Sequence, residues 1–234
     1  MGQYHVTVNL TKREFLNPHG LGCGLKLWEQ IDTRAGVPTA LMVLLACSNG
    51  RGGGDLPDGT EGTPEEISPE FEHLARQVIG RWTGDRVAVV GDYAEREDLL
   101  PEDDADLVYD LCGSESDRQE KVAYLRQKAS EAETSPPNPH QVQDPRVVAQ
   151  ELREKADRLA RASLYQDITP LVAAYLERLC GVKYVTPESG GAWKRVVDAQ
   201  GEEVERTLAP DMVVGPEGVQ VYPRFKTGRT RKRK

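Results

Sequence analysis

Two short apolar segments with different patterns most constrain the fold of this chain. The segment GDRVAVVGDY at 84–93 places four successive apolar residues between two Gly-Asp pairs, which predicts a strand buried on both faces. The segment QYHVTVNL at 3–10 alternates apolar and polar residues, which predicts a half-buried strand. Segments of helical periodicity separate the two. We therefore expect a compact mixed sheet with flanking helices, of the α+β or α/β class.

Start and stop signals define the helices of this body. SPEFEHLARQVIGRW at 68–82 begins with Ser68 as a capping residue and Pro69 in the first turn. LVAAYLERLC follows Thr169-Pro170 and is closed by Gly181. Shorter helices are predicted for LKLWEQI and TALMVLLACS. Near the C-terminus, GVKYV, AWKRVVD, EEVERTL, DMVV and GVQVY read as short antiparallel strands, with Gln200-Gly201 as a hairpin turn.

The composition changes between 94 and 162. Two charged segments, DRQEKVAYLRQKASEAE and PRVVAQELREKADRLARASL, have helical periodicity, and TSPPNPHQ between them contains three prolines that interrupt a helix. This pattern predicts a helical hairpin, 94–162, inserted into a single body formed by 1–93 and 163–223. The hairpin can either pack on the body or stand out from it as an arm.

The net charge of −8 hides an asymmetry. The last eleven residues, RFKTGRTRKRK at 224–234, hold seven basic residues and no acidic ones, so the rest of the chain has a net charge of −15. We predict that this tail is disordered and is attracted to nucleic acid or to an acidic partner, whereas the acidic body repels nucleic acid.

Several protein classes are disfavoured by composition. The longest apolar run, ALMVLLAC at 40–47, is far shorter than the ~18–20 residues of a membrane span, and the N-terminus lacks the pattern of a signal peptide. We expect a cytoplasmic protein with no membrane partner.

The four cysteines are widely scattered without a CxxC pair, and we find no metal-ligand or cofactor motif, so we predict neither a metal nor a cofactor.

A glycine-rich loop, CSNGRGGGDLPDG at 47–59, is the first candidate site. It lacks the lysine of a phosphate-binding Walker loop and the strand that precedes a dinucleotide-binding loop. It reads either as a surface connection or as a ligand-binding loop, in which backbone N–H groups and the Arg51 guanidinium meet an anion. The candidate ligand-binding residues are Asn49, Arg51, Gly52, Gly53, Gly54 and Asp55.

Three further residues complete the predicted site. Asp92 and Tyr93 follow the 87–90 strand, and ligands of open α/β sheets bind beyond the carboxyl ends of strands. His19 lies in a turn-rich loop and is the candidate for general acid–base chemistry. For Asp92 the alternative is a turn residue that caps backbone N–H groups, and for His19 it is a structural role.

Several segments together resemble a family of bacterial and phage proteins for which we know no established activity. They are MGQYHVTVNL, NPHGLGCGLKLWE, SNGRGGGD, GRWTGDRVAVVGDY and APDMVV. The resemblance covers roughly 1–93 and 163–215 and skips 94–162, which agrees with an insertion. The family pattern has a histidine where this chain has Asn17, so a two-histidine metal site is disfavoured. The resemblance groups residues without supplying a function.

We predict a protein that binds a small ligand, an anion or a nucleotide, at a site formed by His19, 49–55 and the Asp92 end of a central strand. A phage accessory or anti-defence factor that sequesters a nucleotide signal fits this prediction by association only, and whether the ligand is also hydrolysed is left open. The alternative is a protein or nucleic-acid interaction protein that uses the helical insertion and the basic tail.

Overall fold

The first strand of the chain organises the sheet. In the computed structural model, which describes residues 3–31, 35–47, 56–57, 68–134, 143–187 and 194–204, β1 (His5–Asn9) pairs antiparallel with β2 (Glu14–Leu16) and with β3 (Val87–Gly91). A short β4 (Gln166–Asp167) pairs parallel with β2, which gives the strand order β3-β1-β2-β4. Together with its helices this sheet forms a mixed α and β fold, so the predicted fold class is confirmed.

The burial of the two strands seen in the sequence is the reverse of the prediction. The alternating β1 segment was expected to be half-buried, but Thr7 and Asn9 are buried together with Val6 and Val8. Asn9 can be buried because its side chain donates to Asp85 at 2.8 Å and accepts from a backbone N–H.

The apolar β3 segment was expected to be buried on both faces in the centre of the sheet. This is wrong for the described residues, where β3 is an edge strand and Val89 is 45% exposed. The apolar run is explained by packing of the other three residues, since Ala88 and Val90 contact one hydrophobic core and Val87 contacts another.

Seven α-helices and three short 3-10 helices lie within the described residues. The caps read from the sequence are present: Ser68 Oγ accepts from the Phe71 N–H, and Gly181 ends its helix with a φ of 64°. The bounds are α1 Leu27–Ile31, α2 Val37–Leu44, α3 Pro69–Val78, α4 Ala105–Leu111, α5 Glu115–Thr134, α6 Pro145–Arg161 and α7 Thr169–Cys180, with 3-10 turns at Pro18–Leu21, Arg96–Asp98 and Pro101–Asp103.

The first hydrophobic core joins α2, α3 and α7. Trp82, Tyr175 and Leu176 are fully buried in it. A small second sheet, β5 (Lys183–Val185) paired antiparallel with β6 (Arg195–Val197), also packs there through Tyr184 and Val196. The predicted turn at Gln200-Gly201 follows β6, where the Asp198 N–H donates to the Glu202 carbonyl and Gly201 has a φ of 83°.

The second core covers the other face of the main sheet. α4, α5 and α6 contribute the apolar side chains, and the sheet contributes Val6, Val8, Phe15 and Val90. The helical residues buried against them are Leu107, Val108, Leu111, Val122, Leu125, Ala156 and Leu159. The helical hairpin therefore packs on the body and does not stand out from it as an arm. That 94–162 is an insertion stays a prediction.

The far half of the hairpin is held mainly by its two helices. Ala129 and Ala149 are fully buried but do not belong to the second core, and Arg153 of α6 forms an ion pair with Glu133 of α5.

The predicted strands DMVV and GVQVY and the basic tail 224–234 lie outside the described residues. Among the helices of the described part, none combines the length and the apolar character needed to cross a bilayer.

Candidate functional site

Three strands of the main sheet meet at one end. Because β1 runs antiparallel to both neighbours, its first residue lies beside the last residues of β2 and β3, as the pairings His5 with Gly91 and Thr7 with Leu16 show. The loop after β2 and the junction between α4 and α5 cover this end of the sheet. Open sheets commonly bind ligands beyond the carboxyl ends of their strands, and here two such ends converge.

A cleft of about 290 Å³ opens at this end of the sheet. Its apolar wall is formed by side chains of the sheet and its loops, among them Val6, Phe15 and Leu25. Its polar residues come from four different elements: His5, Asn17, Tyr109, Asp110, Asp117 and Lys121. We refer to this site as the sheet-end cleft.

The α4–α5 junction places three charged side chains on the cleft. Asp117 Oδ2 accepts from the N–H of Ser114 at 2.8 Å and from its hydroxyl at 2.6 Å, which fixes the first turn of α5. Gly113 permits this turn, since a Cβ there would lie 3.2 Å from Asp117. Lys121 follows one helical turn later on the same face, and its Nζ lies 3.1 Å from Oδ1 of Asp110 at the end of α4.

His5 is fixed through its backbone. Its N–H donates to the Leu25 carbonyl at 2.8 Å, and its carbonyl accepts from the buried Gln30 amide at 2.9 Å. The imidazole is left to the cleft, and its Nδ1 is buried without a hydrogen-bond partner among the described residues. Because this nitrogen is buried, it can meet a bound molecule only if the ring turns toward the cleft.

Two titratable groups of the cleft stay protonated at neutral pH. Burial, helped by the charge of Asp92, raises the pKa of Tyr109 to about 12. Burial also raises the pKa of the Cys112 thiol well above its ordinary value. Tyr109 is thus a hydrogen-bond donor, and Cys112 lacks the thiolate that a cysteine nucleophile requires.

His19 lies next to the cleft in sequence but is not part of its lining. Its N–H donates to the side chain of Asn17 at 3.1 Å, and its carbonyl accepts from the Lys194 N–H, so its loop also anchors the second sheet. Burial lowers the pKa of the His19 imidazole, although the charge of Glu29 acts in the opposite direction. A catalytic role for His19 stays a prediction.

Asp92 lies at the predicted end of the sheet, and its position supports the turn interpretation. It exchanges two hydrogen bonds with Tyr4, one from the Tyr4 N–H to Oδ1 and one from its own N–H to the Tyr4 carbonyl, both 3.0 Å long. Tyr93 beside it is 60% exposed.

The ligand-binding residues predicted in the glycine-rich loop lie outside the described residues. They are Asn49, Arg51, Gly52, Gly53, Gly54 and Asp55.

The sequence analysis missed Asp110, Asp117 and Lys121. They belong to the segment interpreted as an insertion, so they were read as solvated helix and loop residues. The signal that locates them is DLCGSESD, in which Gly113 separates two helices and Ser114 with Asp117 has the spacing of a capping box.

In the residues that the structure describes, no group of three His, Cys, Asp or Glu side chains is arranged to hold a metal ion.

Comparison with known proteins found no match: no family model, no curated protein and no solved structure is similar to this chain. The function is therefore argued from the geometry of the cleft.

Proposed function

We propose that this protein binds a small polar molecule in the sheet-end cleft. The observation that carries the proposal is the convergence of six polar side chains from separate elements on one cleft at the end of the sheet. Four of them, His5, Asn17, Tyr109 and Lys121, carry hydrogen-bond donors, and Asp110 and Asp117 are acceptors. An apolar wall with a few convergent polar groups is the usual composition of a small-molecule site.

The size of the cleft supports a metabolite-sized ligand. At about 290 Å³ it lies near the lower end of the roughly 300–1,000 Å³ of typical ligand pockets. A single nucleoside, sugar or amino acid is of suitable size, and a polymer segment is too large to be enclosed.

The rigidity of the site favours binding without a large rearrangement. Asp117 is fixed by Ser114, Lys121 is held by Asp110, and His5 is anchored by Leu25 and Gln30. Side chains that are already in place lose little further conformational entropy when a ligand arrives.

An anionic or nucleotide ligand, as predicted from the sequence, depends on Arg51 and the glycine-rich loop. The charges along the sheet-end cleft do not by themselves favour an anion, because Asp110 and Asp117 outnumber Lys121. The nucleotide prediction is therefore tied to Arg51 and is tested by Arg51→Ala, which should abolish nucleotide binding.

The alternative role as an interaction protein rests on the helical hairpin and the tail 224–234. The near half of the hairpin is already used, because Val122, Leu125, Ala156 and Leu159 cover the sheet. A macromolecular partner would therefore use the outward faces of the hairpin or the tail.

The test is ligand-induced stabilisation with a variant that fills the cleft. We would screen amino acids, nucleosides, nucleotides, sugars and polyamines against the wild-type protein, Lys121→Trp and Lys128→Trp. Lys128 is the matched control because it lies two turns further along α5, forms its own ion pair with Glu131 and does not line the cleft.

A ligand present at about 100 times its Kd stabilises the folded state by about 2.7 kcal/mol, which for a chain of this size raises Tm by roughly 5–10 °C. We expect that shift in the wild type and in Lys128→Trp, and its loss in Lys121→Trp. Stabilisation that persists in Lys121→Trp, or no stabilisation by any class in the screen, contradicts the proposal.

A further inference from the structure

The charged groups of the sheet-end cleft define a narrower class of ligand, and this inference rests on the proposed function. We propose that the cleft binds a small zwitterion, an α-amino acid with an apolar side chain, whose ammonium group is bound by Asp117 and whose carboxylate is bound by Lys121. The apolar side chain of the ligand lies against the wall that contains Val6, Phe15 and Leu25.

Asp117 has an oxygen available for an ammonium group. Its Oδ2 accepts both hydrogen bonds from Ser114. Its Oδ1 takes no hydrogen bond from the described residues, although the side chain lines the cleft. A carboxylate that is already fixed through one oxygen presents the other in a defined direction, and a charge-assisted hydrogen bond from an ammonium group is among the stronger ones.

Lys121 has donors available for a carboxylate. Its ammonium group carries three N–H donors, and Asp110 Oδ1 at 3.1 Å engages one of them. The side chain is 39% exposed, so the other donors are accessible from the cleft. Lys155 of α6 also acts electrostatically on Asp110. Asp110 is thus a positioning residue that holds Lys121, and Asp117 is the carboxylate that is left to meet a positive charge.

The spacing of the two charges suits an amino acid. Asp117 and Lys121 are four residues apart on α5, which places their Cβ atoms about 5–6 Å from each other on one face. They form no ion pair with each other within the 4.0 Å limit that the structure's ion pairs satisfy. A molecule with adjacent ammonium and carboxylate groups can bridge them, and each of its charges then meets one of the opposite sign.

The experiment compares two matched sets of three probes by calorimetry. The first set is L-leucine, 3-methylbutylamine and 4-methylpentanoate, and the second is L-phenylalanine, 2-phenylethylamine and 3-phenylpropanoate. Within each set the apolar group is shared, and either the carboxylate or the ammonium group is removed. We expect an amino acid to bind more tightly than the amine that matches it, and the carboxylic acid to bind most weakly.

Variants locate the two contacts. Asp117→Asn and Lys121→Met should each weaken binding of the amino acid by about tenfold or more, because each removes one charge-assisted contact. The controls Glu131→Gln and Lys128→Met remove one carboxylate and one ammonium charge further along α5, in a pair that does not line the cleft. They should leave binding within about twofold of the wild type, since exposed charges at a distance are screened.

The outcomes separate this inference from the proposed function. Binding of a carboxylic acid at least as tightly as its amino acid overturns the zwitterion, as does amino-acid binding that Asp117→Asn leaves unchanged. If no probe binds but another compound of the screen stabilises the wild type and not Lys121→Trp, the ligand class is wrong and the proposed function stands. If no probe and no compound acts through the cleft, both are wrong.

Discussion

The carboxylate of Glu14 and the guanidinium of Arg81 form a two-point ion pair, with Nε to Oε2 at 2.9 Å and a terminal nitrogen to Oε1 at 2.6 Å. The indole N–H of the fully buried Trp82 donates to the same Oε2 at 2.8 Å. Glu14 belongs to β2 and is itself buried. This contact joins the main sheet to the end of the α3 segment and satisfies the polar groups of both.

Removing Arg81 should destabilise the protein strongly. Arg81→Met leaves the Glu14 carboxylate buried without its cation. Breaking a fully buried pair costs about 3–5 kcal/mol, and because Arg81 is partly exposed we expect a loss of about 2–4 kcal/mol. The control is Arg76→Met, because Arg76 pairs with Glu72 at the surface and is 74% exposed, which limits its effect to within about 0.5 kcal/mol. Urea denaturation of both variants measures the difference, and equal free energies of unfolding would show that the Glu14 pair is not stabilising.

The same carboxylate should make stability depend on acid. Burial alone would raise the pKa of Glu14, but hydrogen bonds from Arg81 and Trp82 and the charges of Arg81 and Lys12 hold it below its ordinary value of 4.5. The folded state therefore favours the ionised form, so this stabilisation is complete above pH 4.5 and is lost as the pH falls through the lowered pKa.

Glu14→Gln tests this sign. The difference in free energy of unfolding between the wild type and Glu14→Gln should be largest at neutral pH and should shrink below pH 4.5. A difference that stays constant or grows on acidification would contradict the assignment. Comparing the two proteins at each pH removes the contribution of the other carboxylates.

Local signals in the sequence predicted six of the seven α-helices in the described residues and the turn of the C-terminal hairpin, but not α4. The caps at Ser68 and Gly181 depend on residues within one turn, and they are present in the structure. The position of β3 could not be predicted in the same way, because Val87–Gly91 is apolar whether it is central or at an edge. Only pairing with β1, some eighty residues away in sequence, decides between the two.

The site predicted from the sequence and the sheet-end cleft share one end of the sheet but not their residues, and the predicted site stays a prediction. Asp92 marks the end of β3, and the sheet-end cleft opens at that end. The charged lining of the cleft comes from α4, which was not predicted as a helix, and from α5, which was predicted as one helix of the hairpin. Asp110 and Lys121 come close to β1 because Leu107 and Val122 pack on the sheet. That packing is a tertiary contact, and the spacing of residues along the chain does not show it.

The hairpin should be required for stability of the body. Leu159 of α6 is fully buried in the second core, so Leu159→Ala should cost about 2–5 kcal/mol. Leu100→Ala is the control, because Leu100 is 51% exposed, and its cost should stay below about 0.5 kcal/mol. A hairpin that packs only weakly would give similar values for the two, and replacement of 94–162 by a short linker would then preserve cooperative unfolding.

Gly22 should tolerate no side chain. It ends the Pro18–Leu21 turn with a φ of 69°, which costs an L residue about 1–2 kcal/mol. A Cβ there would also collide with the side chain of Val196 and lie 3.2 Å from the Lys194 carbonyl oxygen. Gly181 has a φ of 64° with open space around it, so Gly181→Ala isolates the backbone contribution. We expect Gly22→Ala to be the more destabilising by about 1–3 kcal/mol, and equal losses would show that the contact with β6 is not tight.

Cys112 should report on the sheet-end cleft through its reactivity. It lines the cleft, but burial raises the pKa of its thiol, and alkylation requires the thiolate. Cys47 lies on the surface. In the folded protein, iodoacetamide should therefore modify Cys112 more slowly than Cys47 by about tenfold or more, and in urea the two rates should converge. Mass spectrometry of the two peptides measures both rates in one sample. Equal rates in the folded state would mean that the cleft admits enough water to ionise the thiol, and would contradict the burial of Cys112.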